Sequence, residues 1–384
     1  MQQEEKTPRR DERGIGSLGF TRTPSEDDPR RDPKLLAAIE RIAPGTELRQ
    51  GIDDIIRSRE GALIVIGEPQ DLAFLFSGGI RLDQPFRAQL LYELAKMDGA
   101  IIVSSDLTKL AFANVQLMPD PTIPSAETGT RHRTAERVAK QTDALVISIS
   151  QQRSTISVFV GHSRYQLDPI ADVLAKTNQA IATLDTYRQR LEQVLTRLTA
   201  LEFQNAVVLD DVLVVLQRAE MNTRMAEEIE RDCVELGTEG RLIRMQLEEL
   251  VGHVPREKRA VVVDYHAEGG DERTREGLEA LAALPYQDLL EFELLAVLGY
   301  PASVNPLDHS VSPRGYRVLS HIPRLPESVI RRVVTTLDGL DAIVRASQRD
   351  LEEVEGVGAV RAREIREGLR RLQEHNLVDR YLSI

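Results

Sequence analysis

The stretch ALVISISQQRSTISVFVG, residues 144–161, decides the fold class. Its two runs, ALVISIS (144–150) and ISVFVG (156–161), are rich in β-branched residues and bounded by turn formers, the composition of strands. Upstream, GALIVIG (61–67) and GAIIVSS (99–105) have the same character, and LAFANVQL (110–117) is strand-like. RAQLLYELAKM (87–97) between them has the pattern of an amphipathic helix. Strands interleaved with helices predict an α/β domain over residues 31–167, a mixed sheet covered by helices. Residues 1–30 mix Arg, Asp, Glu, Pro and Gly without periodicity and read as a disordered tail.

Downstream the character changes at Asp168. Leu174, Ile181, Leu184, Leu191, Leu195 and Leu198 form one apolar stripe at helical spacing. Leu209, Leu213, Leu216, Met225 and Ile229 make a second, and Ile243, Leu247, Leu250 and Val254 a third. Residues 168–311 are therefore expected to be an all-α spacer of long antiparallel helices. Within it AVVVDYH (260–266) fits either a strand or a buried helix, and GGDERTREG (269–277) reads as an exposed loop. NPLDHSVSPRG (305–315), with two prolines and a glycine, is the clearest linker, and a helical domain follows at 312–384.

The chain has 384 residues, with 49 basic and 61 acidic side chains and a net charge of −12. That length suits two or three domains, and 41% apolar with 29% charged residues is globular composition. No apolar run approaches the roughly 20 residues that span a bilayer, and the charged start MQQEEKTPRRDERG lacks a secretory h-region. No membrane partner is expected, and a cytoplasmic location is the plain reading. One cysteine, Cys233, supports neither a disulfide nor a zinc framework. The acidic balance argues against a protein that coats nucleic acid by bulk charge, but leaves room for a local site.

Such a site is visible near the C-terminus. Leu351 to Ile365 follow the pattern h-x-x-h-x-G-h-G-x-x-x-A-x-x-h, with Gly356, Val357, Gly358 and Ala362 in their slots. Two helices meet there at a glycine hairpin whose backbone N–H groups are left for an anion at a helix start. The pattern resembles the helix-hairpin-helix motif, which grips DNA phosphates without reading bases. Leu319, Ile322, Leu325, Ile330 and Val333 form a degenerate copy, with Arg324 and Pro326 where glycines would stand. Arg361, Arg363, Arg366, Arg370 and Arg371 fit either salt-dependent attraction to phosphate or a solvated helix face. A tight turn used only for packing is the bland alternative.

Two further motifs lie in the α/β domain. Asp98-Gly99-Ala100 sets a carboxylate and a glycine at a strand start; alone it is a common turn. Thr128-Gly129-Thr130-Arg131-His132-Arg133-Thr134 opens the helix that runs to about Gln141. Basic residues in a first helical turn oppose the dipole unless an anion answers them, so this pattern points to polyphosphate. The structural alternative makes Thr130 an N-cap and the arginines surface charge.

Together KMDGAIIVS and ANVQLMPDPTIPSAETGTRHRTAERVAKQTDALVISIS closely resemble the bacterial diadenylate cyclase family, in the form that joins a helical spacer and helix-hairpin-helix terminus. The resemblance covers about residues 32–384. It implies condensation of two ATP into cyclic di-AMP with release of two pyrophosphates. It gives Asp98 a Mg²⁺ or Mn²⁺ ion and a catalytic role shared with Arg131, His132 and Arg133. Gly99, Leu117, Thr130, Arg131, His132, Arg133, Thr134 and, less directly, Ser150 become nucleotide contacts. Glu127 is a tempting second carboxylate, although loop acids are usually solvated. The DNA contacts fall to Gly356, Val357, Gly358, Arg361 and Arg363. The family's assembly is a homo-octamer with face-to-face cyclase domains, bound to branched DNA such as recombination intermediates and so nucleoid-associated. Competing readings are a non-catalytic DNA-binding scaffold that senses nucleotide, or a nuclease accessory.

Overall fold

The computed structural model describes residues 28–286, 289 and 294–382. Eight strands form one sheet: β1 (Ala62–Ile66), β2 (Phe76–Ser77), β3 (Ile80–Pro85), β4 (Ala100–Val103), β5 (Lys109–Leu117), β6 (Leu145–Ile149), β7 (Ile156–Val160) and β8 (Ser163–Leu167). Their order is β2-β5-β4-β1-β6-β7-β8, with β3 also paired to β5. The β1–β4 pair is parallel and the other pairs are antiparallel, which is the expected mixed sheet.

The central strands are apolar along their whole length because both faces are covered. Helices α1 (Pro33–Arg41), α2 (Glu47–Arg57) and α4 (Ala88–Ala95) bury Ile39, Ile52 and Leu91 against Ile64, Ile101 and Ile147. On the opposite face α3 (Pro69–Leu72) and α5 (Thr130–Gln141) cover Leu63, Val65, Ile102 and Val146 with Leu72, Ala135 and Val138. Neighbouring strand residues thus serve two different cores.

The spacer holds α6 (Ile170–Phe203), α7 (Leu209–Leu236), α8 (Arg241–Val251), α9 (Val254–Tyr265), α10 (Asp271–Ala283) and α11 (Leu294–Val297). The ambiguous 260–266 run is helical, its Val261, Val262 and Tyr265 packing into the spacer core. The expected loop at 269–277 is corrected: Gly269 and Gly270 take positive φ and α10 starts directly after them, opened by Asp271 and Glu272. Acidic residues at a helix start satisfy the dipole, and that signal outweighs the exposed composition.

Residues 1–27 of the expected tail lie outside the described residues, whereas Asp28 caps a short 3₁₀ turn, Pro29–Arg31, ahead of α1. Arg30 pairs with Asp232 at 2.7 Å and Glu235 at 3.1 Å on α7, and Arg231 reaches Asp28 at 3.2 Å. Tyr165 on β8 donates to the same Glu235 at 2.8 Å. This polar seam joins the sheet domain to the spacer.

The C-terminal domain contains α12 (Tyr316–Ser320), α13 (Glu327–Leu337), α14 (Leu340–Arg345), α15 (Gln348–Glu352) and α16 (Ala359–Leu382). The linker before it is pinned rather than loose. Leu209 N–H donates to the His309 carbonyl at 2.9 Å, and Arg314 donates to the carbonyls of Asp264 and His266 at 2.9 and 2.7 Å. Asp264 on α9 accepts the N–H groups of Gly315, Tyr316 and Arg317 at 2.8, 2.7 and 2.8 Å. Burial pushes its carboxyl up to about 7, the Glu202 charge adding to the rise while those donors and Arg317 oppose it. The fully buried Arg317 pairs with Glu202 near the end of α6, donates to Thr199 at 2.6 Å and lies 3.6 Å from Glu257.

Candidate nucleotide site and hairpin surface

β1 and β4 run parallel, with Gly61 preceding the first and Asp98-Gly99 preceding the second. β5 and β6 run the other way, pairing Val115 with Ala100 and Ile149 with Ala62. The starts of β1 and β4 therefore share one sheet end with the finishes of β5 and β6, at Leu117 and Ser150. Asp98, Gly99, Leu117 and Ser150, drawn from 53 residues of chain, line that end. β5 to β6 spans three inter-strand spacings of about 4.8 Å, roughly 14 Å in all, which is nucleotide scale.

Helix α5 starts over the same end. Its N-cap is Gly129, with no side-chain cap, so Thr130 is the first helical residue rather than the cap. Its first-turn N–H groups are thus open to an anion. Arg131 is half-buried, its guanidinium against Gly61 and 3.4 Å from the Ile149 carbonyl, so it is not surface charge. Arg133 is exposed but folds back, donating to the carbonyls of Glu127 and Thr128 at 3.4 and 3.2 Å. The preceding loop is tied to α5 by Arg137 on the Ile123 carbonyl and Lys140 on the Pro124 carbonyl, both at 2.9 Å.

Glu127 departs from expectation. Its side chain is 12% exposed and pairs with Arg164 of β8 at 2.6 Å, so it is a held carboxylate rather than a solvated loop acid. His132 sits beside this pair. Burial lowers its pKa from the ordinary 6.5; Glu127 opposes that, while Arg164, Arg131 and Arg153 add to it. Arg153 and Arg164 were not singled out in the sequence, where each is one arginine among many. Ser150 Oγ accepts the Arg153 N–H at 3.3 Å, which ties the β6–β7 turn to the strand end.

Gly99 has φ +91°, and a Cβ there would stand 2.9 Å from backbone atoms of Asn114 and Val115. The glycine is required where the Asp98 turn crosses β5. Asp98 itself is exposed, and its carboxylate has no hydrogen-bond or ion-pair partner among the described residues.

At the C-terminus, Gly356 takes φ +82°, nothing crowds Gly358, and Leu351, Val354, Ala362 and Ile365 are buried. Val357 is corrected: its side chain is buried and its N–H bonds the Val354 carbonyl at 3.0 Å, so it shapes the turn and presents no donor. Arg361 donates to the Gly356 carbonyl at 2.7 Å. Arg370 and Arg371 pair along the helix with Glu374 and Glu367, as a solvated face would. Arg363 is exposed and has no such partner among the described residues.

The family model described as "DisA bacterial checkpoint controller nucleotide-binding" matches residues 49–164. One described as "DisA bacterial checkpoint controller linker region" matches 167–307. The N-terminal unit is thus a nucleotide-binding domain of the diadenylate cyclase type. DNA integrity scanning protein DisA of Carboxydothermus hydrogenoformans is 51% identical over 346 residues, covering 90% of this chain and 98% of that protein. The proteins of the same name from Acetivibrio thermocellus and Bacillus pumilus are each 46% identical, covering 92% of this chain and 98% of their own length. The chain belongs to the DisA family. Among the described residues no helix is long and apolar enough to cross a membrane.

Proposed function

We propose that the chain condenses two ATP molecules into cyclic di-AMP, releasing two pyrophosphates, and that DNA held by its C-terminal hairpins modulates the reaction. The carrying observation is the meeting, at one sheet end, of the Asp98 turn, Leu117, Ser150 and the uncapped, arginine-bearing start of α5. Each 3′-oxygen bonds to the other nucleotide's α-phosphorus as the α–β phosphoanhydride breaks, so negative charge grows on phosphate oxygens. The N–H groups opening α5 and Arg131 would answer that charge, with Arg133 joining once it leaves the Glu127 and Thr128 carbonyls, and pre-set donors of this kind supply the main rate term. Neutral His132 can donate or accept one proton within this arginine-rich wall.

A Mg²⁺ or Mn²⁺ ion fits Asp98. Such ions commonly take one or two carboxylates, with water and substrate phosphates completing the shell. An exposed, unpaired carboxylate answers that need, and the described residues contain no cluster of three acidic, His or Cys ligands that would replace the substrate. When bound, the ion would neutralise phosphate charge and favour the attacking alkoxide.

One site holds one nucleotide, so ring closure needs two copies facing each other. The exposed apolar side chains Phe74, Met97 and Met118 flank the same sheet end and suit burial by a second copy. A homo-octamer built on such pairs, in the cytoplasm and beside the nucleoid, completes the reading, with branched DNA as ligand.

The test is ATP turnover with Mn²⁺, the product detected by mass. Asp98→Asn is expected to abolish cyclic di-AMP while leaving the assembly size unchanged. Turnover by Asp98→Asn at the wild-type rate would refute the site assignment. ATP binding without product from the wild type would make the domain a nucleotide sensor instead.

A further inference from the structure

The two C-terminal hairpins follow one backbone path. Leu319, Ile322, Ile330 and Val333 are buried where Leu351, Val354, Ala362 and Ile365 are in the second. Arg324 adopts φ +65° at the place where Gly356 has φ +82°. The first hairpin has nonetheless lost its grip chemistry, because Pro326 stands at the Gly358 position and has no N–H. It does send one side chain across. Arg332 of α13 donates from Nη1 to the Glu355 carbonyl at 3.1 Å, beside Gly356. From the other side, Arg361 holds the Gly356 carbonyl at 2.7 Å.

We propose that Arg332 is a positioning residue for the anion-binding turn, so that the degenerate hairpin works as a buttress and not as a second grip. This rests on the DNA-binding reading above. The physical reason is local. A glycine turn has peptide units that rotate easily, and C=O and N–H of one unit point in opposite directions. Holding the Glu355 carbonyl inward therefore aims the Gly356 N–H outward. Holding the Gly356 carbonyl keeps the Val357 N–H on Val354, the bond that closes the turn. Arg332 falls at an unspecified position of the degenerate copy, so the pattern gives no hint of it.

The experiment uses the full chain and a fluorescein-labelled synthetic four-way DNA junction, with affinity measured by anisotropy over a range of KCl. Arg332→Ala is expected to weaken binding about five- to tenfold, the worth of one hydrogen bond that orders a turn. The slope of log affinity against log salt should stay as in the wild type. Arg332→Lys should recover most of the loss, since an ammonium also donates to a carbonyl. Two results overturn the proposal: unchanged affinity in Arg332→Ala, or a slope reduced by about 0.9, which would make Arg332 a direct phosphate contact. Gly358→Asp separates the two levels, because its side chain meets open space and places a carboxylate at the grip. If that variant binds the junction like the wild type, the DNA-binding reading itself falls and the buttress with it. If Gly358→Asp loses binding while Arg332→Ala does not, only the buttress falls.

Discussion

Replacing Arg317 by methionine strands Glu202, whose side chain is fully buried and, among the described residues, then keeps only the Tyr265 hydroxyl at 2.8 Å. Removing one partner of a buried ion pair costs about 3–5 kcal/mol, because the remaining charge is left in low dielectric. That energy acts on one seam, where α12 meets α6 and α9. The readout is amide exchange at Gly315, Tyr316 and Arg317, the three N–H groups held by Asp264. At about 1.4 kcal/mol per decade, their protection should fall by roughly two to nearly four powers of ten. The double variant Arg317→Met with Glu202→Leu replaces both charges by apolar groups. It should return to within about 2 kcal/mol of the wild type, the residue being the unpartnered Tyr265 hydroxyl. A double variant as weakly protected as the single one would sink this account of the seam. A functional arm uses the same proteins. Helix α6 is 34 residues long, about 50 Å, and runs from the sheet domain to Glu202. If it carries the DNA signal, Arg317→Met should still bind a four-way junction, yet ATP turnover should no longer respond to it.

The lowered pKa of His132 means that its neutral form persists below pH 6.5, so the acid limb of kcat/KM should lie below that value. Glu127→Gln removes the charge that favours the imidazolium and should move the limb lower still; a shift upward would contradict the geometry. Gly99→Ala combines a positive φ with a Cβ 2.9 Å from the β5 backbone, and should cost about 2–4 kcal/mol in a urea titration of the sheet domain. Wild-type stability there would mean the Asp98 turn is not pressed against β5. Asp98→Asn, tested as above, should leave the same titration unchanged because its carboxylate has no partner to lose among the described residues.

What could be read along the chain was whatever depends on near neighbours. GALIVIG, GAIIVSS, ALVISIS and ISVFVG declare strands because β-branched runs suit a pleat buried on both sides, and the heptad-like leucines declare α6. The basic first turn at Arg131, His132 and Arg133 raises the expectation of an anion, and Gly356 and Gly358 that of a tight hairpin, which the positive φ of Gly356 bears out. GGDERTREG misled, since its glycines and charges look alike in a loop and in a helix start.

Partnerships between distant charges were settled only by packing. The pairings of Glu127 with Arg164, of Arg332 with the Glu355 carbonyl and of Arg317 with Glu202 leave no signal in the sequence. A carboxylate's surroundings depend on which helix or strand covers it, and nothing in its own sequence window encodes that. Strand direction acts in the same way. Asp98, Leu117 and Ser150 share a sheet end because β4 runs parallel to β1 while β5 and β6 run against them. Reversing any one of those strands would leave its local sequence signals intact and carry its residue to the far end of the sheet.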